Sequence, residues 1–187
     1  GEVPAVVLNK LYKHTRLQLS FGMIMLAIVH GRPEILNLKQ MMTHFLDHRR
    51  EVVVRRTRYD LRKAEERAHI LEGLKIALDN LDEVVALIRA SKSPPEAKEA
   101  LRLRFKLSDI QAQAILDMRL QRLTGLEREK IVQEYKDVQA LIKRLKEILA
   151  SDALVDQIIV DELTEIGTNF ANPRRTEIVP QEAEDFV

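Results

Sequence analysis

From Leu38 to Asp79 the chain runs without a proline, with apolar positions that include Phe45, Val52, Leu61, Ala64, Ala68, Leu71 and Leu78. A helix over this stretch would be about 63 Å long at about 1.5 Å per residue. That length is unusual in a globular core and typical of a coiled coil. Gly73 is tolerated inside it at a cost of about 1 kcal/mol relative to alanine. A second long helix is predicted over Gly125–Leu149, where Ile131, Val138 and Leu145 repeat every seven residues and Tyr135, Ile142 and Leu149 repeat at an offset of four. This is an a/d seam of about 37 Å. The segment between the two helices returns the chain, so they are expected to pack antiparallel as an arm.

Composition agrees with a helical chain. Apolar residues make up 45% and aromatics only 4%, with no tryptophan, while leucine, alanine and long charged side chains dominate. The 187 residues suffice for one or two domains with a core. No apolar run approaches the roughly 18 residues a membrane span needs, and the N-terminus lacks a signal-peptide pattern. The absence of cysteine removes disulfides, thiolate catalysis and cysteine-based zinc sites. A cytoplasmic location fits these features.

A net charge of +1 conceals an asymmetry: residues 1–70 carry +6, residues 71–149 carry +2 and residues 150–187 carry −7. A basic front suggests an anionic partner there, although solvated helix faces of mixed charge give the same count.

Local signals divide the rest. Residues 4–17 read as a short helix. The apolar run 20–29 and a partner at 34–37, joined by a His30-Gly31 turn, predict a hairpin too small to stand alone. Five capping boxes mark helix starts: Asn37 with Gln40, Asn80 with Glu83, Ser93 with Glu96, Ser108 with Gln111, and Thr124 with Glu127. Pro94 suits the first position of its helix. Three shorter helices between residues 80 and 123 are expected to form a knob at the tip of the arm. A last helix is predicted over 152–166, ending near Gly167, followed by an extended acidic tail with Pro173 and Pro180. The fold class is therefore mainly α: a long antiparallel coiled-coil arm, a small globular knob and a short β-hairpin near the N-terminus.

Segment 108–123 is apolar on nearly every side, which requires burial of more than one face. One face can close the knob's own core. The other fits a contact between two copies of the chain, with Ile110, Gln111, Ala114, Ile115, Met118 and Arg119 as candidate interface residues. A fully internal core helix is the alternative.

Signals for chemistry are sparse. There is no glycine-rich phosphate loop. His44 and His48 stand one helical turn apart beside Asp47, but HExxH is absent and a third ligand is not evident, so an ordinary polar surface is expected. Tyr59 lies among Arg55, Arg56, Arg58 and Arg62, which would suit a tyrosine nucleophile attacking a phosphodiester. Its mid-helix position fixes no acid–base partner beside it. No catalytic, cofactor or metal residue is assigned. Residues 49–67 hold eight Lys/Arg and four Asp/Glu. Arg49, Arg50, Arg55 and Arg56 are candidate contacts to a DNA backbone, and a salt-bridged arm, with pairs such as Arg62–Glu66, is the competing reading.

The runs LYKHTRLQLSFGMIMLAIV (11–29), HRREVVVRRT (48–57), LRKAEERAHILEGL (61–74), QAQAILDMRLQRLTGLEREKI (111–131) and PRRTEI (173–178) resemble the A subunit of bacterial DNA gyrase, a type IIA topoisomerase. The A-type subunit of topoisomerase IV is the close relative, and RLQRLTGLEREKI looks more like gyrase. The resemblance spans roughly residues 4–178. It implies that residues 1–37 finish the tower domain and that 38–79 with 125–149 form the coiled-coil arm. It further implies that 80–124 form the dimerising exit gate, or C-gate, and that 150–187 form a return helix and tail. It implies an ATP-driven enzyme that passes one duplex through another, with ATP and Mg2+ handled by the gyrase B subunit. The implied partners are double-stranded DNA, a second copy of this chain in a homodimer, and the B subunit. The family's catalytic tyrosine belongs to a motif that Tyr12, Tyr59 and Tyr135 do not match, so this stretch is expected to be inactive alone. Apart from the resemblance, a helical scaffold arm docking another protein or a tRNA is the competing class.

Overall fold

The computed structural model describes residues 3–118 and 125–178. Along them run α1 (Pro4–His14), β1 (Leu26–Val29), β2 (Arg32–Ile35), α2 (Leu38–Asp79), α3 (Leu81–Ala90), α4 (Pro94–Phe105), α5 (Asp109–Leu116), α6 (Gly125–Leu149) and α7 (Asp152–Phe170). The chain divides into two compact units, Gly1–His48 and Arg49–Val187. The mainly helical fold with one short hairpin is as the sequence predicts.

In the first unit, Pro4 opens α1 and Thr15 ends it, its amide bonded to the Leu11 carbonyl. The strands pair antiparallel with Val29 opposite Arg32. His30 and Gly31 close the turn with φ of 49° and 80°, the left-handed pair that a two-residue hairpin requires. The strands are shorter than the apolar run suggested. Residues 20–25 lie outside β1, and past its start the pairing continues only as the Leu36 amide bonding the Met25 carbonyl at 2.9 Å. Among the described residues of this unit only Val29 and Leu36 are buried apolar side chains, while Phe21, Met23, Ile24, Leu26, Ile28 and Ile35 are each more than 60% exposed.

In the second unit α2 and α6 run antiparallel. Ala64 and Ala68 of α2 meet Ile142 and Leu145 of α6 in a mid-arm cluster with Leu61, Tyr135 and Val138 at its edge. The alanines let the two backbones approach while the larger residues of α6 fill the seam. Cross-helix ion pairs flank it: Arg128 with Asp79 at 2.7 Å, Arg67 with Glu134, and Lys146 with Glu65 at 2.9 Å. Nearer the start of this unit the seam shifts from the expected face. Val53 is fully buried and Val52 only half-buried, while Phe45 is exposed. The cause is α7, which packs Val155 and Ile159 onto Val53 and Ile148. Thr57 is buried there and satisfies its hydroxyl by donating to the Val53 carbonyl at 2.8 Å.

The predicted caps fare unequally. Asn37 and Gln40 form the reciprocal pair, each side-chain oxygen accepting from the other's amide at 2.9 Å. Ser108 and Gln111 do the same for α5. Ser93 accepts from the Glu96 amide, but the Glu96 carboxylate takes the Lys92 amide instead of closing the box. Asn80 caps nothing: its side-chain amide donates back to the Ile76 carbonyl at 2.9 Å, and Glu83 pairs with Arg104. Thr124 lies outside the described residues. Ser151 is an unpredicted cap, accepting from the Leu154 amide at the start of α7. That helix runs through Gly167 to Phe170, because glycine lowers helix propensity without ending a helix. The stop comes at Ala171, which is extended (φ −66°, ψ 138°), one residue before Asn172, where the following Pro173 disfavours helical geometry.

Candidate functional site

Two places in the Arg49–Val187 unit gather the side chains singled out in the sequence. The first is the tip. Leu71, Leu74, Ala77 and Leu78 of α2 bury against Val84 of α3, Leu101 of α4, Ala112 and Ile115 of α5, and Ile131 of α6. Lys106 ends α4 in the left-handed conformation (φ 53°) and turns the chain into α5. Gln111 is the hinge pin of this arrangement. Its side-chain oxygen accepts from the Ser108 amide at 2.9 Å and its amide nitrogen donates to the His69 carbonyl at 2.8 Å. The His69 ring meets the Ser108 hydroxyl at 2.7 Å. A Cβ on Gly73 would lie 2.7 Å from Gln111 Cβ, so only glycine lets α5 come this close to α2.

The six candidate interface residues therefore separate. Gln111 and Ile115 are buried inside the chain's own fold. Ala114 and Met118 are half-buried at the edge of the core. Ile110 is 60% exposed on the outer side of α5. Arg119 lies outside the described residues. Beyond these, the sequence reading missed Leu103 of α4, 75% exposed. It also missed a mostly apolar cleft of about 290 Å³ lined by Leu81, Val84, Val85, Ile88, Ile115, Leu116 and Met118, with Arg89 as its one charged wall among the described residues. Leu103 gives a signal in hindsight, because it interrupts the basic run Arg102, Arg104 and Lys106. The cleft gives none, since it arises from how α3 meets the end of α5.

The second place is the arginine-rich stretch of α2. Arg49 and Arg56, two turns apart, both donate to the Glu162 carboxylate of α7. Arg50 pairs with Asp156 of the same helix at 2.7 Å. Hydrogen bonding from Arg56, reinforced by the charges of Arg56 and Arg49, holds the Glu162 carboxyl below its ordinary value. The Arg50 guanidinium does the same to Asp156. Arg55 is different. It is 71% exposed, and its nearest carboxylate is the equally exposed Glu51 at 3.8 Å. Tyr59 is 52% exposed with the Arg62 guanidinium 5.3 Å above its ring. Glu66 pairs with Lys63 at 2.8 Å rather than with Arg62.

Among the described residues no group of three or more His, Asp or Glu side chains converges as a metal site. His44 meets His30 edge to face, ring centroids 6.5 Å apart. Nor is any helix there long and apolar enough to cross a membrane.

Residues 1–164 match the family model for the A subunit of DNA gyrase/topoisomerase IV. The chain is 56% identical over 174 residues to the DNA gyrase A subunit of Staphylococcus aureus strain MRSA252, an alignment covering 93% of this chain and 20% of that protein. The same protein from strain NCTC 8325 gives the same identity and coverage, as does that from strain Mu50. The chain thus spans about a fifth of the length of these relatives. It belongs to the family of DNA gyrase and topoisomerase IV A subunits.

Proposed function

We propose that this chain is the coiled-coil arm and exit gate of a gyrase A subunit, with the tip as the contact between two copies. The observation that carries the reading is the pairing of exposed apolar side chains with an apolar cleft on one small helical tip. Ile110 and Leu103 project outward, and the cleft between α3 and α5 is walled by Val85, Ile88 and Met118. A second copy presents the same features, so each tip supplies both knob and socket, as an isologous contact requires. A patch of this modest size closes reversibly, unlike an obligate interface.

In this reading the two arms enclose a space, and the tips part to release a transported duplex during supercoiling. The rest of the A subunit cleaves DNA. The B subunit supplies ATP hydrolysis and Mg2+ chemistry, and the enzyme works in the cytoplasm. This stretch performs no chemistry alone: it keeps the halves of the enzyme together while the duplex is cut.

Sedimentation equilibrium over a wide concentration range tests the contact. The chain is expected to dimerise reversibly, and Met118→Glu, which puts a charge at the cleft wall, is expected to weaken the dimer at least tenfold. A dimer indifferent to Met118→Glu would remove the cleft from the interface, and a monomer at all concentrations would overturn the reading for the isolated chain. Opening is tested in the whole enzyme. Because this stretch lacks cysteine, Ile110→Cys offers a thiol at each tip, and joining the two tips through it is expected to abolish strand passage. Crosslinked enzyme that supercoils at the parental rate would sink the gate.

A further inference from the structure

The arginines of α2 fall into two sets that the sequence does not separate. Arg49, Arg50 and Arg56 are engaged by α7 carboxylates and Arg67 by Glu134 of α6. Arg55, Arg58 and Arg62 are exposed. At about 100° per residue they lie on the side of the helix opposite Val53, Thr57, Ala64 and Ala68, the residues that bury against α6 and α7. Tyr59 stands on the same stripe and steadies Arg62 through a contact of its ring with the guanidinium. Two nearby carboxylates neutralise the stripe only in part, the charge of Arg62 reaching Glu66 beside that of Lys63. Glu66 is taken by Lys63, and Glu51 approaches Arg55 only at 3.8 Å, both side chains being about 70% exposed. Glu65, at the edge of the stripe, is held by Lys146 of α6.

We infer that this outer stripe, Arg55, Arg58 and Arg62 with Tyr59, is a surface for the phosphate backbone of double-stranded DNA, and that Arg49, Arg50 and Arg56 serve the fold. The three guanidiniums span about 10 Å of helix axis, which matches about three phosphates along one strand at about 3.4 Å per base. The stripe carries no arrangement that reads base edges, so the contact is independent of sequence. This suits a duplex that must slide past the arm. The inference rests on the reading of the chain as the arm of a duplex-passing enzyme, but its failure is distinguishable, because it concerns binding along α2 and not association of the tips.

The test is fluorescence anisotropy of a labelled 30-base-pair duplex with the 187-residue chain between 50 and 200 mM KCl. Each phosphate contact contributes about 0.9 to the slope of log affinity against log salt. Changing all three arginines to glutamine is therefore expected to flatten the slope by about 2.7, which removes about 40-fold of affinity loss over this salt range. The melting temperature should stay close to parental, since all three side chains are exposed. Tyr59→Phe keeps the ring and should leave the slope unchanged. Three results would each overturn the inference: no duplex binding by the parent chain, a triple variant with the parental slope, or polyglutamate bound as tightly as duplex. A chain that binds duplex through the stripe yet never dimerises would retain the inference and overturn the tip contact for the isolated chain.

Discussion

At the tip of the Arg49–Val187 unit, Leu71, Leu101 and Ala112 are completely buried within a cluster drawn from five helices. Where α7 meets α2, the buried cluster is four residues, Val53, Ile148, Val155 and Ile159, rimmed by three arginines on two carboxylates. The tip is thus held chiefly by its larger apolar core, with exposed ion pairs such as Lys98–Asp109 at its surface, and the α7 junction by a smaller core in which ion pairs that salt and acid weaken have the larger share. Such a division suits the proposed gate, in which the tip must keep its shape while it separates from its twin.

The comparison is broken most strongly at Leu101. Leu101→Ala removes a side chain with no exposed surface and is expected to cost about 2–5 kcal/mol, read as a lower urea midpoint with an unchanged slope. A loss below 1 kcal/mol would mean that the tip is not the cooperative core described here. Gly73→Ala sharpens the same point. Alanine normally favours a helix by about 1 kcal/mol over glycine. Here the new Cβ meets Gln111 Cβ and Cγ at 2.7 Å, an overlap that costs about 1–3 kcal/mol. Net destabilisation is expected, and stabilisation would show that α5 stands further from α2. Ser108→Ala, which removes one half of the cap on α5 and the partner of His69, is expected to cost about 1 kcal/mol.

The sequence made the long elements legible through a heptad period in Gly125–Leu149 and through an unbroken, proline-free length in Leu38–Asp79. Both appear at the expected bounds. What it did not disclose depends on a third body. Val53 rather than Val52 is the buried valine because α7 docks there, and no local pattern announces α7's position. The two sets of arginines look alike as sequence, and only Glu162, Asp156 and Glu134, 67 or more residues on, tell them apart. Gln111 read as a polar interruption suited to an interface, but its neighbour His69 and the gap left by Gly73 draw it inward. A glycine in the middle of a long helix was the available signal, since its cost needs a packing reason.

The smallest expected effect belongs to the α7 junction and tests its electrostatic half. Glu162 is 27% exposed and accepts from two arginines, so Glu162→Gln is expected to cost about 0.5–1 kcal/mol, less in high salt. Its pH dependence has a definite sign. The folded carboxyl is held below its ordinary 4.5, chiefly by hydrogen bonding from Arg56. The unfolded chain therefore binds the proton more readily, and the stabilisation is present above pH 4.5 and is lost as pH falls through 4.5 toward the folded value. At the tip, Lys98 lowers the Asp109 carboxyl from a starting point of 3.8, so the corresponding loss there begins at lower pH. The protection factors of α7 amides, corrected for the intrinsic exchange rate at each pH, are expected to fall on acidification from pH 5 to about 4 before those of α5 amides do. Glu162→Gln should exchange faster already at pH 5 and respond less to acid. Equal loss of protection in α5 and α7, with the variant responding like the parent, would show that the Glu162 ion pairs contribute nothing at the junction and that its four-residue apolar cluster holds α7 alone.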